Sequence, residues 1–220
     1  MNIKMKNNPW LDIAKNLWYN TERRFLMESK RKKTNVEVLQ ILKDRGALLQ
    51  GHFELRSGLH TDCYVQAQAL LNDVQIAEKM GKLLADRFRG LGIEAVVGPA
   101  KGAIVLAHEV ARSLKCASMF AERHNGVFQL RRGQHIEDGA RILVIEDVVT
   151  TGKSTTEVIE LITNLGGKVV GLGCLVDRSE REINNFKDIQ FESLAKINEG
   201  QYFYFQSWEC PHCQAGLPLT

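Results

Sequence analysis

The spacing of apolar residues changes period several times along the chain, and each change marks an element. Val36, Val38, Leu39, Ile41 and Leu42 recur at helical spacing. Thr34 precedes them and Glu37 follows three residues later, which predicts an N-cap with a capping box and a helix ending near Arg45. Phe53-Glu54-Leu55 alternates, Arg56 to Asp62 interrupts, and Cys63-Tyr64-Val65 resumes, which predicts a hairpin with Gly58 in its turn. Ile76, Met80, Leu83, Leu84 and Phe88 predict a long helix from Val74 to Phe88, stopped by Gly90 and Gly92. A short buried strand over Glu94–Val97, a helix over Ile104–Leu114 and a strand over Cys116–Phe120 follow, and then a polar, glycine-punctuated stretch from Glu122 to Gly133. Ile142 to Ile145 are apolar without alternation, as in a strand buried on both faces. A helical pattern through Val158, Ile159, Leu161 and Ile162 ends at Gly166-Gly167, an apolar strand runs from Lys168 to Val176, and Phe186–Leu194 reads as a last short strand. Strands alternating with helices predict an α/β fold with a central parallel sheet flanked by helices on both faces.

A chain of 220 residues suffices for one such domain with small additions. The net charge of +3 is unevenly spread: residues 1–33 carry +6, which leaves −3 on the body. The basic balance therefore does not point to nucleic acid. Residues 1–33 read as a basic N-terminal extension, a poorly ordered tail or a solvated helix end. The weakly amphipathic residues from Pro9 to Leu26 and the run Lys30–Lys33 leave open a segment for an anionic partner or membrane surface, and Met27 an alternative natural start. No apolar run approaches the ~20 residues of a membrane span, and no signal peptide is expected. Five cysteines, an odd number scattered through the chain, suit reduced thiols in a cytoplasm.

The stretch Ile142–Glu157 carries the chemistry. Its strand ends in two carboxylates, Glu146 and Asp147, and then passes through Val148, Val149, Thr150, Thr151, Gly152, Lys153 and Ser154 into a helix. A strand turning through small residues into a helix points free N–H groups at one spot, which favours a phosphate. Ionised carboxylates just before it accept hydrogen bonds from sugar hydroxyls. Gly152-Lys153-Ser154 also matches the end of a P-loop, but the first glycine of that pattern would fall at Asp147, whose charge repels a triphosphate. An ordinary strand-to-helix turn with a capping threonine is the remaining alternative. Ligands of such sheets sit beyond the carboxyl ends of the strands, and three more loops leave such ends. Gly98-Pro99-Ala100-Lys101-Gly102 suits a pyrophosphate loop or a tight turn. Ala121–Gly133 suits a cationic hairpin closing over an anionic substrate or a solvated one; Arg123, directly after the strand, is its best candidate, and Arg131 and Arg132 are candidates for structural roles. Arg178 suits a two-pronged grip on a planar carboxylate or a surface ion pair with Asp177. Cys210-Pro-His-Cys213 offers half of a zinc site, yet a structural site needs four ligands and no second Cys-x-x-Cys exists. It reads first as a reduced tail motif, and no metal is assigned to protein ligands.

The acid pair and the Thr-Thr-Gly-Lys-Ser loop resemble the signature of the type I phosphoribosyltransferases, which bind phosphoribosyl pyrophosphate (PRPP). Phe53–Gln66 is similar to the N-terminal hood of the orotate phosphoribosyltransferase family. Val97–Ala100, Phe120–Arg123, Leu130–Gly133 and Gly173–Arg178 resemble that family in the same order, so the likeness spans about residues 35–220. It implies a phosphoribosyltransferase domain over residues 34–220, with a small hood mainly in 34–72 plus C-terminal contributions and a core over about 73–195. Glu146 to Ser154, Ala100, Lys101 and Arg56 would bind PRPP; Thr150 and Arg178 would contact orotate, with Tyr64 flanking the pyrimidine; Glu146, Asp147 and Arg123 would be catalytic. Mg²⁺ bound with PRPP, a homodimer and a cytoplasmic location are also implied, with no nucleic-acid or membrane partner. The loop after Phe120 lacks the Lys-rich, His-containing sequence of longer members, so Arg123 takes the catalytic cation's place by position only. Transfer to another base, or a PRPP-sensing regulator that binds nucleic acid through residues 1–33, are the alternatives.

Overall fold

The computed structural model describes residues 9–55, 58–179, 189–197 and 203–220. The first described element is the helix α1 (Pro9–Asp44), which runs through the expected boundary at 33/34. Proline is at home in a first helical turn, and no Gly or Pro follows before Asp44, so nothing in the chain stops the helix. Thr34 is consequently not an N-cap: its hydroxyl donates to the Lys30 carbonyl one turn back, 3.0 Å away. The helix docks where Val38 and Leu42 are fully buried and where Arg31 pairs with Glu192.

A three-stranded antiparallel sheet follows, β1 (Leu48–Glu54) and β2 (His60–Val65) with β9 (Tyr204–Phe205) added beside β2 from the far end of the chain. Gly58 has φ +81° between the first two strands, as its turn requires. α2 (Ala67–Leu71) and α3 (Val74–Ala85) lead into the main sheet; the Asp73 carboxylate caps α3 by accepting from the Gln75 and Ile76 N–H groups.

The main sheet has the order β5-β4-β3-β6-β7-β8. β3 (Ala95–Pro99), β4 (Ala117–His124), β6 (Arg141–Val149), β7 (Lys168–Asp177) and β8 (Gln190–Lys196) are parallel, and β5 (Val127–Gln129) adds an antiparallel edge. The last strand lies later than expected, and residues 180–188 are outside the described residues. β4 is longer than its apolar part. It continues through Arg123 and His124 because β5 folds back on it across a two-residue turn, Asn125 (φ +52°) and Gly126 (φ +83°).

α4 (Ile104–Leu114) packs with α3 on one face, around Leu106, Ala107, Val110, Leu143 and Ile145. α5 (Lys153–Asn164) covers the other, around Val158, Ile162, Ile142 and Val144. Ile142 to Ile145 are fully buried, as a non-alternating run at the centre of a two-sided sheet should be. Phe88 packs against β7, where a Cβ on Gly171 or Gly173 would come within 3.0 Å and 2.9 Å of its ring. Because Phe88 is 1% exposed, Phe88→Ala leaves a void over β7. It should cost about 3–5 kcal/mol, read as a lower denaturant midpoint with an unchanged slope. A loss below about 1 kcal/mol would mean that the face repacks.

Candidate active site

β3 and β6 are neighbours in the sheet, but the chain leaves them in opposite directions, through α4 to β4 and through α5 to β7. Diverging loops at adjacent carboxyl ends open a crevice, the place where parallel sheets bind ligands. Ala100–Ala103 forms one wall. The Ala100 N–H donates to the Ala121 carbonyl (2.7 Å), the Ala100–Lys101 peptide is cis, and the Lys101 side chain is exposed. The other wall is the end of β6 and the turn into α5.

Glu146 is buried and Asp147 half-buried at that strand end. Alternation along β6 places Asp147 with Leu143 and Ile145 on the α4 side and Glu146 with Ile142 and Val144 on the α5 side. The Asp147 N–H donates to Glu146 Oε1 (3.1 Å), and the Val148 N–H to Asp147 Oδ1 (2.8 Å). Burial pushes the Glu146 carboxyl well above the ordinary range, and the adjacent Asp147 charge pushes the same way. The Asp147 carboxylate lies against Gly102; a Cβ there would approach its Cγ to 2.7 Å. The acid pair and the loop after β3 therefore touch, which only a glycine at 102 allows.

Thr150 and Thr151 are exposed, and Val149 is buried. Gly152, with φ +73°, sets the N-terminus of α5, which has no side-chain cap. The Lys153 N–H donates to Thr151 Oγ1 (3.4 Å), and Gly152 O accepts from the Thr156 N–H and hydroxyl. The first-turn N–H groups of this 12-residue helix, Ser154 among them, thus face a small-residue loop suited to an anion.

β7 runs alongside, with Val149 opposite Asp177, and the Arg178 N–H donates to the Val149 carbonyl (2.8 Å). Arg178 is only 3% exposed. The surface pair with Asp177 does not form: Asp177 accepts from the Ser179 N–H (2.8 Å) and hydroxyl (2.6 Å) and pairs with Lys196 (3.2 Å). Arg178 turns toward the hood, where Nη2 donates to Thr61 Oγ1 (3.4 Å) and the guanidinium carbon lies 5.4 Å from the centre of the Tyr204 ring.

Other expected residues fall elsewhere. Tyr64 is 41% exposed, with its ring 5.6 Å from that of Phe53. It is three residues from Thr61 along β2, hence on the opposite side of the strand by alternation. Arg123 lies inside β4, where it donates to the Gly126 carbonyl (2.8 Å), pairs with Glu157 of α5 (2.7 Å) and stacks over Phe128 (4.0 Å). Arg131 and Arg132 both pair with Glu122. Arg56 is outside the described residues. Sequence reasoning missed Thr61 and Tyr204: β9 is two residues long, too short for a periodic signal. It also missed that His52 and His60 stand beside Cys210 and Cys213, so the cysteine pair is not half of a site without partners.

The fold and crevice define a phosphoribosyltransferase, and the family model for the phosphoribosyl transferase domain matches residues 66–204. The chain is 44% identical over 184 residues to the orotate phosphoribosyltransferase of Caldanaerobacter subterraneus subsp. tengcongensis, covering 84% of this chain and 94% of that one. The crystal structure of orotate phosphoribosyltransferase from Aeropyrum pernix superposes with a TM-score of 0.60 at 28% identity, over 72% of this chain and 92% of that one. Adenine phosphoribosyltransferase from Rhodothermus marinus shares the fold alone, with a TM-score of 0.59 at 17% identity, over 74% of this chain and all of that one. The chain belongs to the orotate phosphoribosyltransferase family.

The site makes two stability and activity predictions. Gly102→Ala should fold but lose most turnover, about 100-fold or more, because it displaces the Asp147 carboxylate; retained activity would show that this contact is dispensable. Glu146 has a folded pKa above its unfolded one, so its contribution favours folding at acid pH and is lost as pH rises through the folded pKa. Glu146→Gln should therefore gain stability relative to the parent as pH rises from about 4 to 7, measured by denaturant unfolding across that window. A pH-independent difference would contradict the burial.

Proposed function

We infer that this chain transfers the phosphoribosyl group of PRPP to orotate, giving orotidine 5-phosphate and pyrophosphate, a step of de novo pyrimidine (UMP) biosynthesis in the cytoplasm. The observation that carries this reading is Arg178, whose backbone N–H is fixed to the last carbonyl of β6 and whose buried guanidinium is held by Thr61 beside the acid-lined crevice. A fork-shaped cation there matches the planar carboxylate that distinguishes orotate from an unsubstituted pyrimidine.

PRPP lies along the crevice. The 5-phosphate accepts from the backbone of Thr150 to Ser154, and the ribose hydroxyls donate to Glu146 and Asp147. The pyrophosphate meets the loop at Ala100, Lys101 and Gly102, with Lys101 adding charge. As the bond from C1 to the pyrophosphate oxygen lengthens, the ring carbon gains oxocarbenium character beside the carboxylates, and cations disperse the charge building on the leaving group. The pyrimidine nitrogen of orotate forms the new bond and gives up its proton to water as the pyrophosphate leaves, so no covalent protein nucleophile takes part. Thr150 and Arg178 hold the orotate, and Arg56 and Arg123 are the further cations of the reading.

Mg²⁺ fits this donor set. It binds through one or two carboxylates with substrate phosphates and keeps several waters, and the Asp147 carboxylate stands against the loop assigned to the pyrophosphate. When bound with PRPP it neutralises charge on the pyrophosphate. The same reading takes the protein as a homodimer with small-molecule substrates and without nucleic-acid or membrane partners. No described helix is long and apolar enough to cross a membrane.

Loss of orotate absorbance should require both PRPP and Mg²⁺, with uracil, hypoxanthine and adenine inactive in parallel. Asp147→Asn should lower kcat/KM by about 10- to 100-fold, the worth of a charge-assisted hydrogen bond. Turnover of another base in place of orotate, or full activity in Asp147→Asn, would overturn the assignment.

A further inference from the structure

We propose that His52, His60, Cys210 and Cys213 form a structural Zn²⁺ site that clamps the C-terminal segment to the hood hairpin. The four side chains come from distant parts of the chain, yet their ligand atoms lie within 4.8 Å of one another. Cys210 Sγ is 3.5 Å from His52 Nε2; Cys213 Sγ is 3.6 Å from His52 Nε2 and 3.4 Å from His60 Nδ1. Zinc–sulfur bonds of about 2.3 Å and zinc–nitrogen bonds of about 2.0–2.1 Å at a tetrahedral angle put sulfur and nitrogen ligands about 3.5 Å apart. All three distances match. The two imidazole nitrogens are 2.7 Å apart and would open to about 3.3 Å on a tetrahedron.

The surroundings point the donors inward. His52 Nδ1 is 2.9 Å from the Leu217 carbonyl, so that nitrogen carries the proton and Nε2 presents its lone pair to the cluster. A backbone carbonyl on the far ring nitrogen is the usual support of a metal-bound histidine. Cys210 is fully buried and precedes Pro211, the first residue of α6 (Pro211–Gln214), and the single turn brings the sulfurs of residues 210 and 213 to one side. His212, between them, is not in the group of four; its ring packs 5.3 Å from that of His52. The chain then wraps His52 once more, since the Thr220 N–H donates to the His52 carbonyl (2.7 Å).

Two thiols and two imidazoles suit Zn²⁺ and exclude the oxygen-seeking Mg²⁺ of the catalytic crevice. Four protein ligands leave no open coordination position, so the role is structural, and binding releases the two thiol protons. The clamp secures β1 and β2, and with them Thr61, which holds Arg178. It stands independently of the reaction assigned to the crevice.

Untagged full-length protein from zinc-supplemented cells should carry one zinc per chain by plasma mass spectrometry. Cys213→Ser and His60→Ala should bring this to background, while His212→Ala keeps it. A chelator should lower the melting temperature of the parent and leave Cys213→Ser unchanged. If the variants fail to fold, Co²⁺ added to zinc-stripped parent decides alone: a tetrahedral visible spectrum with thiolate charge-transfer bands is expected. Zinc far below one per chain, a Cys210–Cys213 disulfide in the isolated protein, or a cobalt spectrum without thiolate bands would overturn the site.

Discussion

The parallel pairing of β3 with β6 is the constraint on which the rest depends. These strands are joined by hydrogen bonds from Ala95–Ile142 to Val97–Val144, while the chain departs from each toward opposite edges of the sheet. Their carboxyl ends cannot both be covered by a short connection, so a crevice must open there. Whatever stands on β6 just beyond its pairing with β3 is then fixed to a central, deeply buried strand. Glu146 and Asp147 occupy those positions, and the fully buried run Ile142–Ile145 beneath them allows little movement. The acid pair is thus preorganised by the sheet and not by a loop.

The electrostatics follow from the same placement. A carboxyl at a buried strand end beside a second carboxylate is disfavoured in its charged form, so the protein carries at Glu146 a cost that ligand hydrogen bonds can offset. Asp147 faces the other way, against Gly102, and joins the two walls. Arg178 is placed by the neighbouring strand, through the bond from its N–H to Val149, and by the hood, through Thr61. On the proposed reading the base pocket is shared between sheet and hood through Arg178 and Thr61, and the integrity of the hood bears on the choice of base.

What was legible in the sequence is what local chemistry writes. The buried strand of Ile142–Ile145, the small-residue turn at Thr150–Ser154, the hairpin around Gly58 and the loop leaving β3, which starts at Ala100 because Gly98 and Pro99 belong to the strand, each depend on residues a few positions apart. The misses depend on long-range partners or on the lack of a stop signal. Thr34 has the composition of an N-cap, but nothing before it breaks a helix, so α1 runs through it. Asp177 and Arg178 are adjacent, yet Lys196, Ser179 and Thr61 compete for them successfully. Arg123 follows an apolar strand, and β5 then extends that strand and engages the side chain with Glu157. His52 and Cys210 are 158 positions apart, and no period or spacing rule connects them.

The central claim is that Arg178 reads a carboxylate on the base held in this crevice. Its most direct test is a double difference in affinity, measured by calorimetry: orotidine 5-phosphate against uridine 5-phosphate, on the parent and on Arg178→Lys. The nucleotides differ only by the carboxylate. The account predicts that the parent prefers orotidine 5-phosphate by about 10- to 100-fold, and that the substitution erases most of this preference with little change for uridine 5-phosphate. An equal loss for both nucleotides, or an undiminished preference, would contradict it.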